Sequence, residues 1–188
     1  MNTRKIRLGV VMDPIAGITP KKDSTLAMLL EARTRGHEIH YMEQGGLWLD
    51  SGTARGEMRP LEVADDPERW YTLGEAVHRP LGELDVILMR KDPPFDMEYV
   101  YTTYILDRAR QAGCLVVNRP DALRDMNEKA YTAWFPEFVP RTVITRSMER
   151  MRGFLDQVGR MVVKPLDGMG GRSIFSVRSG EPNTNVIL

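Results

Sequence analysis

The 188 residues contain a single cysteine, Cys114, so the chain has no internal disulfide framework and suits a reducing compartment. Cys114 lies in the apolar run CLVVN, where a small buried hydrophobe is expected rather than a nucleophile. Excess charge of one sign is also missing. Lys+Arg and Asp+Glu number 26 each, so no net field draws the chain to nucleic acid or to an anionic membrane. No stretch approaches the roughly 20 apolar residues that span a bilayer. The first apolar run, Leu8–Met12, is too short for a signal-peptide core and stops at Asp13-Pro14. These absences predict a cytoplasmic, soluble protein with neither a membrane nor a nucleic-acid partner. His37, His40 and His78 form no zinc pattern, and no metal ligand is assigned in the chain. There is no internal repeat or low-complexity tract.

What is present is ordinary globular composition, 42% hydrophobic and 28% charged, in a chain long enough to bury a core. IRLGVVM (6–12) reads as a buried strand. DSTLAMLLEARTRG reads as a capped helix with Leu26, Leu29 and Leu30 at helical spacing, closed by Gly36. HEIHYM (37–42) is a second strand, and strand–helix–strand predicts parallel pairing with crossover helices. LWLDSGTARGEMRPLEV predicts a hairpin turning at Ser51-Gly52. DVILM (85–89) is a strand running into RKDPPFD. Residues 98–113 are a helix whose face is marked by Tyr101, Tyr104, Ile105 and Arg108, and CLVVN is the next strand. Together these give an open parallel α/β domain over residues 1–120.

From Pro120 the style changes, and residues 121–188 are assigned to a second domain. Residues 120–135 predict a helix entered through Pro120, RTVITR a strand, and SMERMRGFLDQVG a helix capped by Ser147 and closed by Gly159. RMVVKPL and RSIFSVR then flank a short glycine loop, too short for a crossover, so they pair antiparallel with Lys164 on the first strand. Glycine loops grip phosphate because backbone N–H groups approach it without a Cβ in the way. A Walker A loop is excluded, since it needs Gly at position 166, where Leu166 stands, and Lys after Gly171, where Arg172 stands. The dinucleotide fingerprint is excluded because Ser173 takes its third glycine position and a strand follows. A phosphate flap with Lys164 as point charge and a plain Asp-Gly turn remain equal alternatives, although a plain turn has no need of the extra glycines.

VVKPLDGMGGRSIF resembles the glycine-rich flap of the bacterial glutathione synthetases, within the ATP-grasp ligase superfamily. LGVVMDPI, KKDSTLAMLLEA, HYME, DVILMRKDPPFD, YTTYILDRA, VVNRP, LRDMNEK and TAWF resemble the same family in the same order. ILMRKDPPFD together with KPLDGMGG is highly specific. The resemblance implies an open parallel-sheet amino-terminal domain (pre-ATP-grasp, Rossmann-like), then part of an ATP-grasp domain with an antiparallel glycine flap. It implies ligation of γ-glutamylcysteine to glycine with ATP and Mg2+ or Mn2+, through an acyl phosphate, by a homo-oligomer.

By that resemblance Lys129 and Lys164 reach the nucleotide, and Gly168, Met169, Gly170 and Gly171 form the loop that closes over its phosphates. Taken alone, Lys129 is a commonplace helix lysine. Arg90, at the end of a central strand, fits a substrate carboxylate or an ion pair with Asp92 or Asp96, and the resemblance implies the first. Asp13, at the corresponding end of the first strand, is a minor candidate for the same site. No catalytic residue is assigned. Family members run on past this length into their metal-binding acids and an asparagine, so the 188 residues alone are expected to be inactive. The alternatives are another ATP-grasp carboxylate–amine ligase, of the D-alanine–D-alanine type, and a shortened nucleotide-binding or interaction module without catalysis.

Overall fold

The computed structural model describes residues 4–91, 94–168 and 170–188, in two compact units that divide between Arg124 and Asp125. The first unit contains β1 (Arg7–Val11), α1 (Ser24–Thr34), β2 (Glu38–Met42), β3 (Leu47–Asp50), β4 (Thr53–Val63), β5 (Tyr71–Leu73), β6 (Val77–Pro80), β7 (Val86–Met89), α2 (Met97–Gln111), β8 (Leu115–Val117) and all but the last residue of α3 (Pro120–Asp125). Its sheet runs β3-β4-β2-β1-β7-β8, with β5 and β6 also pairing to β4. The strands β2, β1, β7 and β8 are parallel, as the alternation of strands and helices predicts, while β4 pairs antiparallel with β2 and curls the sheet.

Period-two alternation splits the core between the two faces of this sheet. Leu8 and Val10 of β1 pack with Leu26 and Leu29 of α1, whereas Val11 packs with Ile87 and Met89 of β7 and Leu106 of α2. Val10, Val11, Leu29, Ile87 and Leu106 are fully buried, each contributing about 1.5–3 kcal/mol by leaving water. At the head of α1 the Asp23 carboxylate accepts from Leu26 N at 2.7 Å, and Gly36 leaves the helix in the left-handed region at φ 77°. The hairpin expected at Ser51-Gly52 is there, joining β3 to β4. Both turn residues are left-handed (φ 49° and 83°), the twist a two-residue hairpin requires.

The buried face of α2 is not the one the tyrosines mark. Tyr101 and Tyr104 are half exposed, and the core receives Tyr99, Thr102, Thr103, Leu106 and Ala109. The threonines can face inward because their hydroxyls donate to Glu98 O (2.8 Å) and Val100 O (2.6 Å) within the helix, leaving their methyls to pack. Tyr104 instead lies beneath the Arg124 guanidinium, 4.7 Å from the ring centroid.

The second unit contains α4 (Met148–Val158), β9 (Arg160–Val163), β10 (Phe175–Arg178) and α5 (Thr184–Ile187), with β9 and β10 antiparallel as expected. Ser147 Oγ accepts from Arg150 N at 3.2 Å, and Gly159, at φ 72°, donates to Leu155 O at 2.7 Å, so both expected ends of α4 hold. Three expectations fail. The helix over 120–135 stops at Asp125, because Asn127 Oδ1 accepts from Lys129 N (3.0 Å) and Ala130 N (2.9 Å) and starts a new turn that leads to a short 3-10 helix, Tyr131–Trp134. RTVITR is not a strand among the described residues, for no neighbouring strand offers it a ladder, and Val143 and Ile144 stay largely exposed. Lys164 falls just after β9 rather than in it, since Pro165 has no N–H to continue the pairing.

Candidate functional site

In the first unit the C-terminal ends of β1 and β7 deliver charged residues to one edge of the sheet. Arg90 N donates to Val11 O at 2.7 Å, which sets β7 beside β1 up to its last residue. Asp13 then meets Lys91, with 2.8 Å between Oδ1 and Nζ. Arg90 turns to the first turn of α1, where Nε donates to Thr25 Oγ1 at 3.1 Å and Nη2 to Ser24 Oγ at 3.0 Å. Asp96, one of the two ion-pair partners weighed for Arg90, instead caps α2 by accepting from Tyr99 N at 2.9 Å. Asp92, the other, lies outside the described residues. A guanidinium beside the positive end of a helix dipole favours an anion.

The turn after β1 is held through both backbone polar groups of one residue, Ile15. The Tyr41 hydroxyl accepts from Ile15 N at 3.3 Å and donates to Glu43, while Trp70 Nε1 donates to Ile15 O at 3.1 Å. Burial, with Glu43 beside it, pushes the Tyr41 phenol well above its usual range, so the donor to Glu43 persists across physiological pH. Tyr41 and Trp70 carry no motif; only long-range contact reveals them. Ser24 and Thr25 read from the sequence as helix-start residues, with nothing to mark them as partners of Arg90.

In the second unit Lys129 and Lys164 line one hollow of about 1240 Å³, with Phe154, Val162 and Phe175 among its apolar walls. Lys129 Nζ donates to Gly168 O and to Glu128 Oε1, and Asn127 Nδ2 donates to Leu166 O at 3.1 Å. The glycine loop between β9 and β10 is therefore moored to the turn that carries Lys129. A Cβ on Gly168 would stand 2.6 Å from Pro165 Cγ, so close approach requires that glycine. Gly170 and Gly171 meet nothing within 4 Å but hold φ of 64° and 78°, so conformation requires them. Met169, assigned to the same loop, lies outside the described residues.

The structure thus brings together Lys129, Lys164 and the glycine loop within the second unit, and Arg90 and Asp13 within the first. Among the described residues no group of three or more His, Cys, Asp or Glu is placed to hold a metal ion. Cys114 is buried, and burial followed by the Asp85 charge pushes its thiol up to about 12, so it is inert at neutral pH.

Residues 6–124 match the family model of the prokaryotic glutathione synthetase N-terminal domain, and residues 128–188 match that of the prokaryotic glutathione synthetase ATP-grasp domain. The chain belongs to the prokaryotic glutathione synthetase family. It is 56% identical over 183 residues to the glutathione synthetase of Vibrio cholerae and 55% identical over 183 residues to that of Shewanella oneidensis, covering 97% of this chain and 58% of each relative. The Escherichia coli O157:H7 glutathione synthetase is 54% identical over 182 residues, with the same coverage. The chain therefore spans a little over half the length of these relatives. Among solved structures it is similar to the ATP-grasp ligase PsnB complexed with a phosphomimetic variant of its minimal precursor, Mg and ADP. That likeness has a TM-score of 0.53 at 18% identity and covers 94% of this chain and 58% of PsnB. Vibrio cholerae D-alanyl-alanine synthetase A gives a TM-score of 0.55 at 11% identity, covering 97% of this chain and 54% of that one. Both likenesses establish the ATP-grasp fold alone. No helix among the described residues is long and apolar enough to cross a membrane.

Proposed function

We propose that these residues form the amino-terminal part of a cytoplasmic, homo-oligomeric ligase that joins γ-glutamylcysteine to glycine with ATP. The first unit takes the acidic dipeptide, Arg90 gripping a carboxylate with Asp13 alongside, and the second takes the nucleotide. One observation carries the reading: Lys129 and Lys164 share a single hollow, and the glycine loop is moored to the first of them. Two ammonium groups and a glycine-rich backbone are what a polyphosphate requires of its site.

The chemistry asks that a carboxylate attack the terminal phosphate, so two anions must be held at bonding distance while their repulsion is offset. Lys129 and Lys164 supply fixed positive charge. Gly168, Met169, Gly170 and Gly171 form a lid that keeps water from the acyl phosphate. ATP arrives with Mg2+ or Mn2+, whose charge would lower the repulsion further; the described residues show no group of three or more His, Cys, Asp or Glu placed to hold the metal. Family membership favours γ-glutamylcysteine and glycine over the D-alanine pair.

The test is calorimetric titration of ATP with Mg2+ into the 188-residue chain and its variants. Binding is expected, weakened about tenfold in Lys164→Met by loss of a charge-assisted contact. ADP release that requires both γ-glutamylcysteine and glycine is expected only from a chain of the relatives' length. Steady release by the 188 residues would overturn their assignment as a part, and ATP binding unchanged by Lys164→Met would overturn the phosphate site.

A further inference from the structure

We infer that Asn127 is a positioning residue that fixes the glycine loop to the turn presenting Lys129. The inference deepens the nucleotide-site reading and rests on it for its functional meaning. Asn127 uses both ends of its amide. Its Oδ1 accepts from Lys129 N and Ala130 N, at 3.0 and 2.9 Å, and its Nδ2 donates to Leu166 O, 39 positions along the chain, at 3.1 Å. One small side chain therefore sets the backbone of Lys129 and the first arm of the loop at once. Lys129 Nζ adds a second mooring at Gly168 O. With both carbonyls turned to the 127–129 turn, the planar trans peptide directs the following N–H of Asp167 away from it. Among the described residues both moorings are made at the loop's first arm. Beyond that arm Gly170, Gly171 and Ser173 are all left-handed.

Any ligand anion reaching Lys129 competes with Gly168 O for the ammonium, so the lysine mooring is exchangeable. The Asn127 mooring is neutral and its partners are backbone, so it persists through that exchange. It keeps the loop base in register with Lys129.

Two substitutions isolate the link. In Asn127→Asp an oxygen still accepts from the turn but the donor to Leu166 is gone; in Asn127→Ser the cap is retained on a side chain too short to reach the loop. The readout is limited trypsin digestion of the 188-residue chain, following cleavage between Arg172 and Ser173 by mass spectrometry; Lys164, being followed by Pro165, resists the protease. Both variants are expected to be cut about fivefold faster at Arg172, the factor one net hydrogen bond makes in an opening equilibrium, with cleavage at Arg150 and Arg152 of α4 unchanged. Unchanged cleavage at Arg172, or equal acceleration at Arg150 and Arg152, would overturn the inference, the latter because it marks general loosening. Adding ATP with Mg2+ separates the two readings. Protection of Arg172 that needs about fivefold more ATP in the variants supports both. Faster cleavage in the variants with no ATP protection in any chain supports the Asn127 link and removes the nucleotide role.

Discussion

Gly9 lies in the middle of β1, opposite His40 on one side and Ile87 on the other, and a methyl group there has no room. A Cβ at this position would stand 2.6 Å from Leu84 Cδ1, 2.7 Å from Met42 Cε and 3.2 Å from Ile87 Cγ1, where ordinary contacts begin near 3.4 Å. The first two atoms are ends of flexible side chains, which lowers the cost, but Leu84, Met42 and Ile87 are all buried in the same cluster and have little space to retreat into. Two effects oppose each other in Gly9→Ala. Overpacking costs about 1–3 kcal/mol, and the stiffer unfolded chain returns about 0.4–1 kcal/mol. Overpacking wins, leaving a net loss of about 1–2 kcal/mol, a fall in melting temperature of about 4–8 °C for a unit of this size. Gly9→Val, with two further methyls, is expected to lose about 3 kcal/mol. The assay is thermal melting combined with hydrogen exchange of the β1 amides, using α4 amides in the other unit as reference. Gly17→Ala is the control: nothing lies within 4 Å of that Cβ and the backbone is not left-handed, so stability is expected to hold or rise. A Gly9→Ala chain as stable as the parent would refute the packing argument.

Two further outcomes follow from single residues. Gly153 sits inside α4 with nothing within 4 Å of its Cβ position, so Gly153→Ala is expected to stabilise the helix by about 0.5–1 kcal/mol, read from exchange of the α4 amides. His40 has both ring nitrogens buried without a hydrogen-bond partner, and burial lowers its pKa, with Arg79 and Arg7 adding to the effect and Glu38 opposing it. The unfolded chain then takes the proton first, so stability is full above the ordinary histidine value of about 6.5 and declines as pH falls through the window below it. His40→Leu is expected to flatten the dependence of first-unit stability on pH between about 7 and 5, measured by urea unfolding; an unaltered slope would remove His40 as its source.

The sequence was most legible where a local pattern and its tertiary use coincide. Short strand-forming runs between turn residues marked β1, β2, β7 and β8, most plainly β1, where four of five residues are buried and little beyond continuous hydrophobicity is needed. The Ser51-Gly52 hairpin was readable since few residue pairs accept two left-handed positions. The reading failed where side chains satisfy themselves locally. The threonines of α2 are polar, yet their hydroxyls donate inside the helix, which lets Thr102 and Thr103 face the core while two tyrosines face out. Asn127 ended a helix that periodicity would have carried on to residue 135, because a side-chain amide competes with the backbone for the same N–H groups.

The candidate site divides along the same line. Residues whose role is set by their own backbone or charge could be named from the sequence: the glycines by conformation, and Lys164 by its place beside them. Lys129 could be named only through family resemblance, for by itself it is one lysine among many. Partners that act across long separations left no local trace. Ser24 and Thr25 meet Arg90 across more than 60 positions, Trp70 meets Ile15 across 55, and Asn127 meets Leu166 across 39. Each is a polar side chain whose bond is made by topology, at a strand end or loop base, and its residue type suits a cap or a surface equally well. The charged groups that would touch a ligand are therefore easier to read than the neutral ones that aim them. In both units the contacts setting the geometry of the charged residues run through serine, threonine, tyrosine, tryptophan and asparagine.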